Sequence, residues 1–326
     1  MSAHQINEFE LIRRLTRRLQ EDLPPGVVGI GDDAAAIPFG EEVLLLTCDI
    51  AVEGRHFRSG GTGLADVGWK LASANVSDVV ACGGLPEYAL ISLGVPQSLA
   101  PEGLEALYDG LHQAAAHYGF RVIGGNVSGA AELVVDCFMV GRAPAFISRA
   151  GARPGHLLAL SGPVGDSAAG LMALQAHPDD RHAKPLIARH LRPTARTDLV
   201  PFLRQHARAA IDVSDGLAAE LHHMAQASGA ALAIQGGEVP LSTDLVDWYA
   251  QDISGSRPGP LELALGSGEE YQVLCALEPE ARGAAIAQGL TIIGEVRAGS
   301  GVSMDGQPLA PAGWDHLGTS DPDRKP

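Results

Sequence analysis

Acidic residues in apolar surroundings are the feature of this sequence that points most directly to chemistry. Asp32 and Asp33 follow a glycine turn in Gly29-Ile-Gly-Asp-Asp-Ala-Ala35. Two carboxylates about 4 Å apart repel each other by roughly 4 kcal/mol at an effective dielectric constant near 20, and burying either one unpaired costs several kcal/mol more. Solvent or a cation must relieve that repulsion. A solvated surface turn, which Gly-Asp-Asp also suits, is the structural alternative.

Similar acids recur at three further places: Thr47-Cys-Asp49, Asn75-Val-Ser-Asp78 and Asp212-Val-Ser-Asp-Gly216. Asp215 could serve only as the N-cap of a following helix. Asp212 lies within an apolar strand pattern, and helix capping cannot explain an acid at that position. Each of these acids is difficult to place in a core without a shared ligand, and their recurrence therefore predicts a bound cation.

Hydrophobic periodicity predicts the elements that carry these acids. The apolar run from Val43 to Cys48 predicts a buried strand with Asp49 at its end. One helical face, at 100° per residue, is predicted to carry an apolar stripe with an acid at its end: Leu64, Val67, Leu71, Ala74 and Asp78. A helix that ends at Asp78 could instead turn the acid out to water, but the apolar residues at 79–81 argue against this.

Two glycine-bearing segments could bind an anion. Gly125-Asn-Val-Ser-Gly129, after a predicted strand over 121–124, could form a cradle for phosphate or metal, or an ordinary turn, which glycine pairs favour on their own. Gly162-Pro-Val-Gly-Asp-Ser167 leads into a predicted helix whose N-terminus could hold an anion. The Gly-Lys-Ser/Thr of a Walker sequence does not follow, so a structural interpretation is favoured there.

Length and composition predict a two-domain α/β protein. A chain of 326 residues is long for one hydrophobic core. The segment from Ser148 to Gly155 is basic, bears glycines and is broken by proline, and a new strand over 156–160 follows it. We therefore place the domain boundary there, with domains at residues 1–149 and 150–326.

Charge and targeting patterns narrow the function classes. The formal net charge of −16 and a pI near 5.1 count against nucleic-acid and anionic-membrane partners, and a phosphorylated substrate would need metal ions as intermediaries. The start of the chain has no secretory h-region, and no apolar run approaches bilayer length, so we expect a cytoplasmic protein. Four scattered cysteines without a CxxC pair predict reduced thiols instead of disulfides or a zinc site.

Five segments, in order along the chain, together resemble thiamine-monophosphate kinase: Gly29-Ile-Gly-Asp-Asp-Ala-Ala35, Asn75-Val-Ser-Asp78, Gly162-Pro-Val-Gly-Asp-Ser-Ala-Ala-Gly-Leu171, His190-Leu-Arg-Pro193 and Ala210-Ile-Asp-Val-Ser-Asp-Gly-Leu217. The resemblance runs from about residue 9 to residue 317. It implies an α/β (α+β) fold of two domains, like that of aminoimidazole ribonucleotide synthetase, with the N-terminal domain sheets pairing in a homodimer. It also implies ATP-dependent, Mg²⁺-assisted phosphorylation of thiamine monophosphate to thiamine diphosphate.

The same resemblance implies roles for individual residues. Magnesium ligands would be Asp33, Thr47, Cys48, Asp49, Asp78, Asn126, Asp212 and Asp215. ATP contacts would be Tyr108, Gly125, Asn126, Arg149 and Ser214. Thiamine phosphate would be bound by His56, Glu269 and Trp314. Without the family, His56 is equally well explained as a turn residue and Trp314 as an aromatic that caps the core.

Local departures from the family pattern affect single positions. Asn126 stands where many relatives carry Asp and offers one negative charge less, so one ion would be held more weakly. Cys48 and Ile50 replace threonines, so any metal contact by Cys48 is expected through its backbone. Gly266-Ser-Gly-Glu-Glu-Tyr271 keeps Glu269 while lengthening the next acid.

Phosphoryl transfer fits a site rich in aspartate, because the reaction needs positioning and charge neutralisation more than covalent chemistry. A phosphate monoester acceptor is mostly dianionic at pH 7 and needs no general base, in keeping with the lack of a His or Cys nucleophile arrangement. Three alternatives stay open: a relative such as selenophosphate synthetase or a hydrogenase maturation protein, whose expected terminal cysteines are lacking here; a metal-dependent phosphohydrolase; and a catalytically silent nucleotide-binding subunit.

Overall fold

The computed structural model describes residues 8–17, 19, 23–58, 62–252, 255 and 257–314. The helices among them are α1 (Glu8–Thr16), α2 (Leu64–Ala81), α3 (Pro101–Tyr118), α4 (Asp166–Ala176), α5 (Lys184–Leu191), α6 (Val200–His206), α7 (Leu217–Ser228), α8 (Thr243–Ala250), α9 (Pro260–Gly266) and α10 (Arg282–Ala287). The strands among them are β1 (Ala35–Phe39), β2 (Glu42–Val52), β3 (Leu85–Val95), β4 (Arg121–Gly129), β5 (Val134–Ala143), β6 (Leu157–Leu160), β7 (Ala207–Asp212), β8 (Ala231–Ile234), β9 (Val273–Leu277), β10 (Thr291–Arg297), β11 (Gly301–Met304) and β12 (Gln307–Pro308). None of the helices in these ranges is long and apolar enough to span a membrane.

The first sheet has five strands in the order β1-β2-β5-β3-β4. Strand β5 alternates buried and half-buried residues along its length, as expected when only one face of a sheet packs on a core. Helix α2 covers that inner face, and α3 packs against α2 and adds Leu107 and Leu111 to the same core. Their contact is backbone to backbone, since a Cβ on Gly110 would lie 1.8 Å from the carbonyl oxygen of Ala65. Glycine at this position therefore brings α2 close to α3.

The opposite face of this sheet, which we call the outer face, exposes large apolar side chains. They belong to strands β1, β2 and β3 and are each between 38% and 50% exposed: Ile37, Ile50, Leu85, Tyr88 and Leu90. Adjacent residues in the same strands, such as Ala36 and Ile91, are buried at 1%. A contiguous apolar face of this kind is characteristic of an interaction surface.

The second sheet has seven strands in the order β12-β11-β8-β10-β6-β9-β7. Its central strands β6 and β9 are buried along their whole length, so they appear in the sequence as continuous apolar runs. Helix α7 packs against one side of this sheet, where Leu217, Leu221 and Met224 join its hydrophobic core. The functional consequence is that Asp212, at the end of β7, lies next to the fully buried strand β9.

Helix α2 connects the two halves of the chain. Trp69 Nε1 and Ser73 Oγ both donate to the carbonyl oxygen of Pro193, at 2.7 Å and 3.0 Å. Asp66, one turn earlier, pairs with Arg192 Nε at 2.5 Å. The same helix also contacts β7. Helix α2 therefore carries Lys70 and Asp78 to the junction with the second sheet.

The sequence also predicts helices over residues 101–118, 184–191 and 194–206; the structure confirms the first two and corrects other elements. Asp49 lies inside β2 and not at its end, and α2 continues past Asp78 to Ala81. The segment Gly125–Gly129, expected to be a loop, is the second half of β4, because it pairs with β3 along its whole length. Backbone pairing with a neighbouring strand outweighs the local preference of glycine for turns.

The helix predicted over residues 194–206 is also corrected. A 3-10 turn covers Thr197–Leu199, and only Val200–His206 forms the α-helix. Pro201 lies in the first turn of α6, the part of a helix where proline is tolerated because its missing N–H has no intrahelical partner. The α-helix therefore begins one residue before the proline and does not extend further toward the N-terminus.

Candidate active site

Four carboxylates, which we call the acid cluster, act on one another at the junction of the two halves: Asp33, Asp49, Asp78 and Asp212. They come from the turn before β1, from β2, from the last turn of α2 and from the end of β7. Thr47 Oγ1 donates to Asp78 Oδ2 at 2.5 Å and ties β2 to α2. The structure thus brings together acids from four separate segments of the chain.

Burial is the main cause of the altered acidity of these groups. It raises the pKa of Asp33 to about 7, although Arg149 acts in the opposite direction. Burial and then the charge of Asp136 raise the pKa of Asp49 to about 6. The pKa values of Asp78 and Asp212 are raised well above the usual range by burial and then by the other members of the cluster. Four negative charges are therefore unfavourable here unless a cation accompanies them.

Two oxygens of the acid cluster are buried without a hydrogen-bond partner, Asp33 Oδ2 and Asp212 Oδ2. An unsatisfied buried acceptor costs about 1–3 kcal/mol, and more when it is charged. Hard divalent cations such as Mg²⁺ are bound by carboxylate oxygens of this kind. The donor set of the acid cluster therefore fits such an ion.

The potential metal-ligand atoms of the site are unevenly spaced. Among the residues that the structure describes, Asp32, Asp33 and Cys82 are the one set of three potential ligands whose atoms all lie within 4.8 Å of one another. Burial, Asp33 and Asp32 raise the pKa of the Cys82 thiol well above its usual range, so it remains protonated and is a poor ligand.

Asp32 and Asp33 have different surroundings although they are adjacent. Asp32 accepts hydrogen bonds from Ser148 Oγ at 2.5 Å and from the Arg149 backbone N–H at 3.2 Å. Asp33 pairs with the guanidinium of Arg149 through one oxygen and keeps the other without a partner. Asp32 thus joins the turn before β1 to residues 148 and 149, and Asp33 remains the better candidate ligand.

Glu220 is a site residue that the sequence analysis missed. Its side chain is buried, accepts from the Asp215 backbone N–H at 3.1 Å and lies 2.9 Å from His223 Nδ1. Its charge also raises the pKa values of Asp33 and Asp212. The detectable signal was an acid on the apolar face of α7, which is the pattern that pointed to Asp78.

The residues expected to bind thiamine phosphate differ in their surroundings. Burial would raise the pKa of Glu269, but Lys70 foremost, with His190 and His56, lowers it. His56 accepts from the Val52 backbone N–H through Nδ1 at 3.0 Å. Trp314 donates its backbone N–H to the carbonyl oxygen of Asp215 at 3.0 Å, and its side chain is 36% exposed. The indole of Trp314 is therefore partly accessible beside the turn that carries Asp215.

Two of the predicted metal ligands, Asn126 and the Cys48 thiol, lie apart from the acid cluster. Asn126 shares a cross-strand row with Ile50, which is on the outer face, and its strand is separated from β2 by two others, a distance of about 14 Å at normal strand spacing. The Cys48 thiol is exposed and donates to Asp136 at 3.2 Å, on the side of β2 opposite Asp49. Tyr108 is 40% exposed on α3. The structure does not place Asn126 or the Cys48 thiol beside the other proposed ligands.

Comparison with known proteins identifies the class to which this fold and site belong. Residues 31–143 match the N-terminal domain, and residues 153–307 the C-terminal domain, of AIR synthase related proteins. A hydrogenase maturation protein from E. coli is similar in fold alone, with a TM-score of 0.65 at 20% identity over 84% of this chain and 88% of that chain.

Two curated relatives are more similar. The thiamine-monophosphate kinase of Aquifex aeolicus is 40% identical over 97% of this chain and all of its own length, and that of Salmonella typhimurium is 36% identical over 96% and 98%. A solved structure described as AaThiL complexed with AMPPCP and TMP has a TM-score of 0.89 at 38% identity and covers 97% of this chain and 99% of that chain. The chain belongs to the thiamine-monophosphate kinase family.

Proposed function

We propose that this protein transfers the terminal phosphoryl group of ATP directly to thiamine monophosphate, giving thiamine diphosphate and ADP. The observation that carries the proposal is the acid cluster with two unpartnered buried oxygens, in a chain that belongs to the thiamine-monophosphate kinase family. The solved relative complexed with AMPPCP and TMP supports a nucleotide and a thiamine phosphate as the two substrates.

Magnesium ions are the proposed cofactors, held by Thr47, Asp215 and the acid cluster and by the backbone of Cys48. When bound, Mg²⁺ neutralises charge on the phosphates and on the transferring group. Arg149 already supplies one positive charge beside Asp33. The geometry gives less support to Asn126 as a ligand within one protomer, because β3 and β5 separate its strand from Asp49.

The chain's own contribution to the reaction is orientation. We assign acceptor binding to His56, Glu269 and Trp314, and nucleotide binding to Tyr108, Gly125, Asn126, Arg149 and Ser214. The acceptor phosphate is mostly a dianion at neutral pH and can attack without a general base. Correct placement of two anionic substrates in line is therefore the main catalytic task.

The proposed activity is tested by incubating purified protein with ATP, Mg²⁺ and thiamine monophosphate and separating the products by chromatography. Stoichiometric thiamine diphosphate and ADP are expected. Free phosphate without thiamine diphosphate would instead identify a metal-dependent phosphohydrolase. Nucleotide binding without any turnover would identify a silent nucleotide-binding subunit.

Trp314→Ala should weaken acceptor binding selectively. An indole face attracts a cationic ring such as thiazolium by about 0.5–2 kcal/mol, and the Trp314 side chain is exposed beside Asp215. We expect KM for thiamine monophosphate to rise roughly 3–30-fold, the ratio that those energies imply, and KM for ATP to stay almost unchanged. A lowered melting temperature with both KM values moving together would show that Trp314 is structural.

We further propose a homodimer formed through the N-terminal domain, which we place at residues 1–149, with the C-terminal domain at 150–326. The outer face, with its exposed Ile50 and Leu90, is the proposed contact, because a second copy would cover the same apolar surface on both partners. Light scattering should give twice the chain mass, and Ile50→Glu with Leu90→Glu should give a monomer. A monomeric wild type at working concentration would contradict the dimer.

A cytoplasmic location is proposed on the evidence of the thiols. Cys82, Cys137 and Cys275 are buried and unpaired, and Cys48 is also free. Unpaired cysteines are typical of proteins kept in a reducing compartment. Cell fractionation followed by thiol labelling of the denatured protein checks this, and recovery from an oxidising compartment would contradict it.

A further inference from the structure

Lys70 makes a contact between the two halves of the chain that no proposed role accounts for. Its ammonium donates to Glu269 Oε2 at 2.7 Å, across 199 positions of sequence. The Lys70 side chain is 13% exposed, whereas that of Glu269 is 32% exposed. Lys70 therefore binds the carboxylate from the protein side, while Glu269 keeps enough exposed surface to meet a ligand.

His190 lies beside both the Lys70 ammonium and the Glu269 carboxylate, since its Nδ1 is 3.6 Å from Glu269 Oε2. Lys70 Nζ is 3.5 Å from His190 Nε2, and Ser167 Oγ is 3.0 Å from His190 Nδ1. Because an ammonium only donates, Nε2 must accept, and this places the ring proton on Nδ1 beside Ser167. Burial, and then Lys70, lower the pKa of His190 to about 4, so the ring is neutral at pH 7. His190 thus helps to hold Lys70 without adding a competing positive charge.

The segment that carries Glu269 is held rigidly. Glu269 and Tyr271 both have left-handed backbone conformations, with φ of 58° and 50°, which are strained for residues other than glycine. The Glu269 backbone N–H donates to the carbonyl oxygen of Ser214 at 2.7 Å, and the Tyr271 N–H to that of Val213 at 2.9 Å. The backbone is therefore held by the two residues that follow β7, and Lys70 holds the Glu269 carboxylate through one oxygen.

We infer that Lys70 is a positioning residue of the acceptor site, which orients the Glu269 carboxylate toward the cationic part of the acceptor and is itself held by His190. The inference rests on the proposed function, since it concerns how thiamine monophosphate is bound. Lys70 need not touch the acceptor. It acts through Glu269, so its effect must depend on the carboxylate being present.

The test compares Lys70→Met with the wild type by calorimetric titration of thiamine monophosphate without ATP, and by steady-state kinetics with both substrates. Kd and KM for thiamine monophosphate should each rise about tenfold, the size expected for loss of one charge-assisted hydrogen bond. KM for ATP should change less than twofold. Lys70→Arg, which keeps the charge, should recover most of the affinity and guards against a folding defect in Lys70→Met. Lys184→Met, at an exposed lysine of α5, is the matched control and should behave as wild type.

A double variant decides whether Lys70 acts through Glu269. In a Glu269→Gln background, Lys70→Met should add less than a twofold change in Kd, because the orienting partner has no carboxylate left to orient. Fully additive effects, a Lys70→Met variant that binds like wild type, or equal changes in both KM values would each overturn the inference alone. A wild-type protein that binds no thiamine monophosphate would overturn the proposed function, and with it this inference.

Discussion

Excess EDTA should abolish phosphoryl transfer, and added Mg²⁺ should restore it. The acid cluster places four carboxylates where burial raises their pKa values, and neighbouring acids raise them further; such a site repels ATP unless cations are present. Measurement of thiamine diphosphate formation with EDTA, and then with excess Mg²⁺, checks this. Turnover that persists in EDTA would contradict the metal assignment.

A second readout separates loss of the cofactor from loss of the fold. A ligand that binds only the folded protein stabilises it by RT ln(1 + [L]/Kd), or about 2.7 kcal/mol at 100 times Kd. Mg²⁺ should therefore raise the melting temperature, whereas the circular dichroism spectrum at 25 °C should be the same with and without EDTA. A melting temperature that does not change when Mg²⁺ is added would show that the acid cluster binds no ion in the absence of nucleotide.

Replacing one acid of the cluster should lower activity and raise stability at the same time. Asp212→Asn and Asp78→Asn should each reduce kcat by about 10² or more, because stabilisation of transition-state charge is lost. In EDTA, Asp212→Asn should melt at a higher temperature than wild type, since it removes a buried charge that neighbouring acids repel. Activity assays and thermal melts on the same preparations measure both effects.

Asp247→Asn is the matched control for these variants. Asp247 is exposed on α8, so the substitution should leave kcat and the melting temperature in EDTA within error of wild type. Near-normal turnover by Asp78→Asn would remove that residue from the proposed site. A lower melting temperature of Asp212→Asn in EDTA would mean that its carboxylate stabilises the protein through contacts instead of straining it.

Much of the fold was predictable because local signals and tertiary packing agree. The helix over residues 101–118 has a proline at its first position and ends at Gly119 in the left-handed conformation, both of which are visible in the sequence. Gly125–Gly129 was mispredicted because pairing with the distant strand β3 decided the outcome. A glycine-rich segment carries no local sign that a neighbouring strand will take it into a sheet.

Some residues of the candidate site could likewise be predicted from the sequence, and others could not. The sequence by itself determined the family and the acids at positions 33, 49, 78 and 212, because a carboxylate in an apolar pattern is costly and therefore conspicuous. Only the tertiary structure showed that Glu220 is buried beside Asp33 and Asp212, and that Lys70 pairs with Glu269. Contacts between residues so far apart in sequence depend on how the two sheets pack on either side of α2. Hydrophobic periodicity and motif spacing do not predict that packing.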